Sequence, residues 1–432
     1  MPAKSLNELV EFARRHSPFY AEVYRDVPQT ISHITELPIL DQAAFWAANT
    51  WPDNRLLTGP LLDAGVYKTG GTTGAPKFSP WTRTEHADSV TAFGEGMVQA
   101  GLKPGHRVAN LFCAGELYGG FLYIEGALHH APVENVRLPV GCAASNEYIA
   151  DLISDFGVNV LAGEPMKLSA VAECVVQRGQ IADSIELVLF AGDILFNDLR
   201  PMLARAFPKA AISSLGYASV DAGLVGAPVP GDDVRVHEAF PNRTLVELVD
   251  DVTGEPITAV GVPGRLVVTN LFRTLMPIIR YPVGDRAEWV EPERQRFRLV
   301  GRSLEGARVG TVAMPTEDIR GVLIAADPDR IISGMQMVQR RWDGKDGLIL
   351  RLACTEEPPA ELTARLIDAV YAARPLYPAE VEIGAIHHLI VEWVRLSELV
   401  TNPRTGKLQQ VVDERPHATD VSPASSETGP VS

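Results

Sequence analysis

Between residues 85 and 216, short apolar runs alternate with longer stretches whose apolar residues recur every three or four positions. The runs at 107–113, 132–136, 158–162, 185–191 and 211–215 read as strands, and the stretches at 85–100, 119–130, 146–156, 164–177 and 198–207 read as helices. Nearly continuous apolar strands between helices predict a parallel sheet covered on both faces, since such a sheet has no solvent face to keep polar. Ligands of these sheets bind outside the carboxyl ends of the strands. That rule singles out the Gly192-Asp193 turn and the stretch from Gly216 to Asp221.

The pattern changes after about residue 228. Runs at 245–249, 265–269, 287–290 and 297–300, separated by Gly/Pro turns, predict an antiparallel meander or small barrel. From residue 303 a smaller α+β unit follows, with strands at 331–341 and 348–354 and helices at 316–325 and 360–373. The expected fold class is therefore α/β: a large N-terminal domain over residues 1–302 and a small α+β C-terminal domain over 303–416. The Ser/Thr/Pro-rich stretch 417–432 has too little apolar content to order itself.

Composition adds constraints. At 432 residues the chain is longer than one core usually organises. Its net charge of −15 argues against nucleic acid or an anionic membrane as partner, and an anionic substrate would need a local positive site. Cys113, Cys142, Cys174 and Cys354 are scattered without a CxxC pair, so four reduced thiols, no zinc and a cytoplasmic location are expected. The first sixteen residues read as an amphipathic helix rather than a signal peptide, and no run is long enough to cross a bilayer.

Four motifs carry candidate chemistry. Tyr67-Lys68-Thr69-Gly70-Gly71-Thr72-Thr73-Gly74-Ala75-Pro76-Lys77 has the composition of an anion-binding loop: glycines let backbone N–H groups turn toward an anion, threonines add donors, and lysine adds charge. It is not a Walker A loop, because Phe78 stands where that motif needs Ser or Thr. The others are Arg280-Tyr281-Pro282-Val283-Gly284-Asp285, Gly301-Arg302-Ser303 and Asn402-Pro403-Arg404-Thr405-Gly406-Lys407. His129-His130 and His387-His388 look like ligand pairs, but adjacent side chains point different ways on a helix or a strand.

In this order and spacing the motifs resemble those of the adenylate-forming superfamily of acyl-CoA ligases and adenylation domains, and in particular its phenylacetate–CoA ligase branch, over residues 60–415. The resemblance implies roles. Thr69, Gly70, Gly71, Thr72, Thr73, Gly74 and Lys77 would hold the ATP phosphates. Gly192, Asp193, Tyr217, Ala218, Asp285 and Arg302 would bind adenine and ribose, and Asp221 would help bind Mg²⁺. Lys407, on a mobile small domain with a hinge at Glu305, would bridge the substrate carboxylate and the α-phosphate. Apart from the resemblance, Tyr118 and Gly119 open a helix facing the expected acid pocket, where lining that pocket and simple packing both stay open as their role. Four places depart from the family pattern: Tyr217 to Asp221 reads Tyr-Ala-Ser-Val-Asp where Tyr-Gly-x-Thr-Glu is usual, Leu304-Glu305 replaces an acidic pair at the hinge, the segment from there to Gly310 is one residue short, and Pro403-Arg404-Thr405-Gly406-Lys407 is one residue shorter than the usual Pro-Arg-Ser-Glu-Gly-Lys.

The implied reaction has a carboxylate attack the α-phosphorus of ATP, after which the acyl-adenylate meets the thiol of CoA. Because two anions must approach, the protein's work is positioning and charge neutralisation. A small aromatic acid is the expected substrate. A carrier-protein phosphopantetheine in trans or an amine stays open as acceptor, and a homodimer stays open as assembly. A degenerate nucleotide-binding protein is the remaining alternative.

Overall fold

The computed structural model describes residues 4–68, 77–302 and 306–415, with Arg302 described by its backbone alone. The chain divides into two compact units. One takes in the sequence up to residue 304 together with Thr401–Leu408, and the other runs from Glu305 to Val400 and resumes at Gln409. The segment carrying Lys407 thus groups with the larger unit.

In the larger unit, helices α1 (Leu6–His16), α2 (Pro18–Val23) and α3 (Gln42–Ala48) come first. Ser5 and Glu8 close a capping box at α1, and Leu9, Val10 and Ala13 on one face of that helix are buried. A hairpin of β1 (Ala64–Lys68) and β2 (Phe78–Thr82) pairs Lys68 with Phe78 across the ends of the glycine-rich motif. Then α4 (Arg83–Gln99), β3 (His106–Asn110), α5 (Gly120–His130), β4 (Asn135–Pro139), α6 (Asn146–Asp155), β5 (Val160–Gly163), α7 (Pro165–Gln177), β6 (Leu187–Phe190), α8 (Arg200–Ala206) and β7 (Ala211–Ser214) alternate as the hydrophobic pattern predicts.

The five strands form one parallel sheet in the order β4-β3-β5-β6-β7. Every residue of β5 and β6 is buried, which is why both read as unbroken apolar runs. The chain leaves β3 toward β4 on one side and leaves β5 toward β6 on the other. The carboxyl ends of β3 and β5 therefore flank a topological switch point, the place where open α/β sheets bind ligands.

A second, antiparallel sheet follows: β8 (Tyr217–Ser219), β9 (Gly223–Pro228), β10 (Val236–Ala239), β11 (Thr244–Val249), β12 (Gly264–Asn270), β13 (Ile278–Glu291) and β14 (Arg296–Arg302), in the order β11-β12-β13-β14-β10-β9-β8. The sequence pattern predicts its later strands but not β8, β9 and β10. Strand β13 runs through the whole Arg280–Asp285 motif. Within it Arg280 makes a paired ion contact with Glu247 (2.8 and 3.0 Å), a structural role.

The fully buried Arg273 ties these parts together. Its guanidinium donates to Pro80 O (2.7 Å), Ser79 Oγ (3.2 Å) and Asp221 O (3.5 Å), and lies 3.9 Å from the ring centroid of Trp81. Glu85, in the first turn of α4, takes N–H bonds from Thr82 (2.9 Å) and Leu275 (2.8 Å). Burial pulls the Arg273 pKa down to about 10, so the group stays charged at neutral pH.

The smaller unit holds a hairpin of β15 (Gly306–Val309) and β16 (Val312–Pro315), then α9 (Thr316–Ala326), β17 (Ile332–Trp342), β18 (Lys345–Cys354), α10 (Ala360–Ala373), α11 (Leu376–Glu382), β19 (Ile390–Val394) and β20 (Val411–Asp413). Its four-stranded sheet has the order β19-β18-β17-β20. The buried Gln336 side chain accepts from Val400 N (3.3 Å) and donates to Val400 O (3.0 Å) and Gln409 O (2.7 Å), clamping the stem from which residues 401–408 project.

One expectation is corrected. Cys113 and Cys142 form a disulfide, leaving only Cys174 and Cys354 as thiols. The cause is topological: β3 and β4 are parallel neighbours with Asn110 opposite Pro139, and Cys142 N donates to Phe112 O (3.1 Å) just beyond them. Residues far apart in sequence are thereby placed side by side. Thiol titration of the denatured protein should find two reactive cysteines without reductant and four after reduction; four in both conditions would contradict the pairing.

Candidate active site

The Lys407 segment is a turn built by its own sequence. Asn402 Oδ1 accepts from Arg404 N (3.0 Å) and Thr405 N (3.2 Å), Gly406 N donates to Asn402 O (2.8 Å), and Asn402 N donates to Lys407 O (2.8 Å). Gly406 has φ of +73°. A Cβ there would sit 3.2 Å from Glu164 Oε2 and 3.4 Å from Cys113 Sγ, so glycine is needed both for the conformation and for the close approach. Cys113 follows β3 and Glu164 follows β5, so the turn lies at the switch point of the parallel sheet.

Gly192 completes this corner. Its φ is +91°, and a Cβ on it would lie 3.1 Å from Glu164 Oε1 and 3.4 Å from Lys407 Cε. The lysine and the Glu164 carboxylate thus both pass over Gly192. Tyr118 donates from its hydroxyl to Glu164 Oε1 at 3.1 Å. Gly119, the N-cap of α5, faces another way: a Cβ on it would overlap the Tyr67 ring, which stacks on His86 with centroids 5.8 Å apart. Tyr118 therefore reaches the switch point, while Gly119 makes room for an aromatic layer beside it.

In the sequence Glu164 reads only as the start of a helix. It is the N-cap of α7, but its side chain makes no capping bond. It is 2% exposed, and Oε2 has no hydrogen-bond partner among the described residues. Burial pushes its pKa up to about 7; the nearby charge of Lys407 and the Tyr118 hydrogen bond oppose that rise, and Asp193 adds to it. A signal was present: one acidic residue, followed by proline, interrupts an apolar run at the carboxyl end of a parallel strand.

A second group gathers on the antiparallel sheet. Tyr217 donates its hydroxyl to Asp285 Oδ2, joining the two residues assigned to adenine and ribose. Asp285 lies opposite Arg302 in the β13–β14 register, and Ala218 follows Tyr217 in β8. Behind Tyr217 is the buried His237, whose pKa is pulled down to about 4 by burial, so the ring is neutral. Its Nδ1–H donates to Arg235 O (2.9 Å), so Nε2 accepts from Ser214 Oγ (3.0 Å), and Ser214 Oγ accepts from Gly216 N (3.0 Å). This relay fixes the turn that presents Tyr217.

Asp221 and Lys77 form the third group. Lys77 Nζ lies 3.7 Å from Asp221 Oδ2 and 5.3 Å from the Trp46 ring centroid. Asp221 Oδ2 also accepts from Tyr281 O–H (2.9 Å). Among the described residues no three His, Cys, Asp or Glu side chains gather to hold a metal. A lone carboxylate beside a lysine fits a Mg²⁺ that arrives with nucleotide phosphates rather than one held by an all-protein cage. Thr69, Gly70, Gly71, Thr72, Thr73, Gly74 and Glu305 lie outside the described residues, as does the Arg302 side chain.

In each histidine pair one ring has a structural contact. His129 Nδ1 accepts from Arg137 Nη1 (3.0 Å), and His387 stacks on Trp342 with centroids 3.9 Å apart.

No protein-family model matches the chain. In sequence it is 26% identical over 367 residues to a phenylacetate–coenzyme A ligase of Thermus thermophilus, spanning 81% of this chain and 80% of that one. A phenylacetate–coenzyme A ligase of Pseudomonas putida is 22% identical over 247 residues, 55% of this chain and 54% of that one. In fold it is similar to 2-hydroxyisobutyryl-CoA ligase in complex with its adenylate, with a TM-score of 0.70, 17% identity and coverage of 95% of this chain and 88% of that one. The anthranilate CoA ligase AuaEII in complex with anthranoyl-AMP gives a TM-score of 0.57 at 19% identity, covering 80% of this chain and 64% of that one. The resemblance carried by the motif order is thus borne out in sequence and in fold. No helix among the described residues is long and apolar enough to cross a membrane.

A raised carboxyl pKa makes the folded state bind a proton that the unfolded state gives up near pH 4.5. The stability this supplies is present at low pH and lost as pH rises toward 7. Thermal unfolding of wild type and Glu164→Gln at pH 5 and pH 8 should show the variant gaining on wild type by about 1–3 kcal/mol at the higher pH. A pH-independent gap would contradict the buried, charge-strained placement of Glu164.

Proposed function

We propose that this chain, similar to phenylacetate–CoA ligases in sequence and to adenylate-forming CoA ligases in fold, activates a small carboxylic acid with ATP and transfers the acyl group to CoA, releasing AMP and pyrophosphate. The observation that carries this reading is the approach of Lys407 to the Gly192-Asp193 turn at the switch point of the parallel sheet.

Lys407 neutralises the charge that builds up as the substrate carboxylate attacks the α-phosphorus. A compact ammonium on a long stem suits a group that must meet two different anions. Asp285 accepts from the ribose hydroxyls, and its bond from Tyr217 keeps it oriented before the nucleotide arrives; the Tyr217 ring takes the adenine, with Ala218 and the Gly192-Asp193 turn beside it. The glycine-rich loop from Thr69 to Gly74 and Lys77 hold the β- and γ-phosphates, and Arg302 acts near the ribose. Asp221 is the residue that would hold Mg²⁺, which supplies further neutralisation of the phosphates when bound. Glu305 is the hinge residue of a small domain that withdraws before thioester formation.

The curated relatives named as phenylacetate–CoA ligases support an aromatic acid. CoA as acceptor is supported by the 2-hydroxyisobutyryl-CoA ligase solved with its adenylate and CoA in the thioesterification state. No observation favours a carrier-protein thiol or an amine in its place.

ATP–pyrophosphate exchange across arylacetic, benzoic and short aliphatic acids tests the proposal. At least one acid should support exchange, and Lys407→Ala should lower it by about 10²–10³-fold while ATP binding and thioester formation from supplied acyl-AMP persist. Unchanged exchange in the variant would remove Lys407 from the chemistry.

A further inference from the structure

Glu164 poses a problem that the adenylation chemistry does not explain. The reaction needs a second carboxylate, the substrate's, to come to Lys407. Glu164 is already there: its Oε1 and Lys407 Cε both crowd the space above Gly192, and its Oε2 crowds Gly406 next to the lysine. Two carboxylates around one ammonium repel unless something stands between them. Protonation of Glu164, whose pKa burial raises to about 7, relieves this at lower pH; above that pH the protein supplies little. Around Glu164 stand Tyr118 from the approach to α5, Asp193 from the turn after β6, and Lys407 from the 401–408 turn, with Arg404 acting on Tyr118. Tyr118 satisfies Oε1, while Oε2 is buried with no hydrogen-bond partner among the described residues.

A hydrogen-bond donor on the substrate would resolve both difficulties. Placed close to the carboxylate, it would satisfy Oε2 and put a proton between the two negative groups. Resting on the adenylation reading above, we infer that Glu164 is a specificity residue selecting acids that carry a hydroxyl or amino group on the first or second carbon from the carboxyl carbon. An acid without the donor leaves the buried carboxylate unpaired beside a like charge, the situation in which polar sites discriminate most strongly. A residue that only anchored Lys407 as its counter-ion would show no such preference.

The test measures kcat/KM for ATP–pyrophosphate exchange with matched acids: phenylacetate against mandelate and phenylglycine, and benzoate against 2-hydroxybenzoate and 2-aminobenzoate. The hydroxyl and amino members separate the two donor chemistries. In the wild type, at least one donor acid should exceed its parent by about tenfold or more. In Glu164→Met, which removes charge and acceptor at similar length, the ratio should fall toward one while the parent acid is still activated. Glu164→Gln, keeping one acceptor oxygen, should retain part of the hydroxyl preference and guards against a folding failure of the methionine variant. Equal use of parent and donor acids by the wild type overturns the inference, as does a variant that slows all acids by one factor. Exchange with no acid of either kind overturns the adenylation reading itself, so the two failures are distinguishable.

Discussion

The guanidinium of Arg273 is the interaction on which the larger unit's geometry hangs. It is fully buried and bonds to the backbone or side chains of β2 and to the carbonyl of Asp221. One cation thereby fixes the strand that follows the glycine-rich loop relative to the loop that carries Asp221. With Glu85 binding the chain around Thr274 and Leu275, the arrangement is a buried, almost fully satisfied polar network. Removing one partner from such a network costs far more than a surface ion pair, about 3–5 kcal/mol. Asp221 thus meets two positive groups, the Arg273 guanidinium at its backbone carbonyl and Lys77 at its carboxylate.

A real problem of charge arises at the carboxyl end of the parallel sheet. Glu164, buried just after β5, lies beside Lys407, the lysine proposed to meet the anionic reactants. Glycines at 192 and 406 make this approach physically feasible, since a side chain at either position would fill the space between the lysine turn and the sheet.

Much of the fold was legible because its physics is local. Fully covered strands must be apolar along their whole length, and β5 and β6 are; the helices between them carry the matching period. The motifs were legible as an ordered set although each alone was weak. What escaped was long-range. The Cys113–Cys142 pair follows from β3 and β4 being neighbours, which spacing does not reveal. The Tyr217–Asp285 bond spans 68 residues and two strands. Arg273 lay in no motif, and Glu164 hid behind its neighbours because one acid in an apolar run reads as the edge of a helix. In each case the missing information was which chain ends the topology brings together.

The central claim, that the carboxylate attacks the α-phosphorus of ATP, can be read from where an oxygen goes. An accepted acid labelled with ¹⁸O in its carboxylate, turned over with ATP, Mg²⁺ and CoA, should pass one label to AMP and none to pyrophosphate. Label appearing in orthophosphate alongside ADP would mean attack at the γ-phosphorus and would contradict the account.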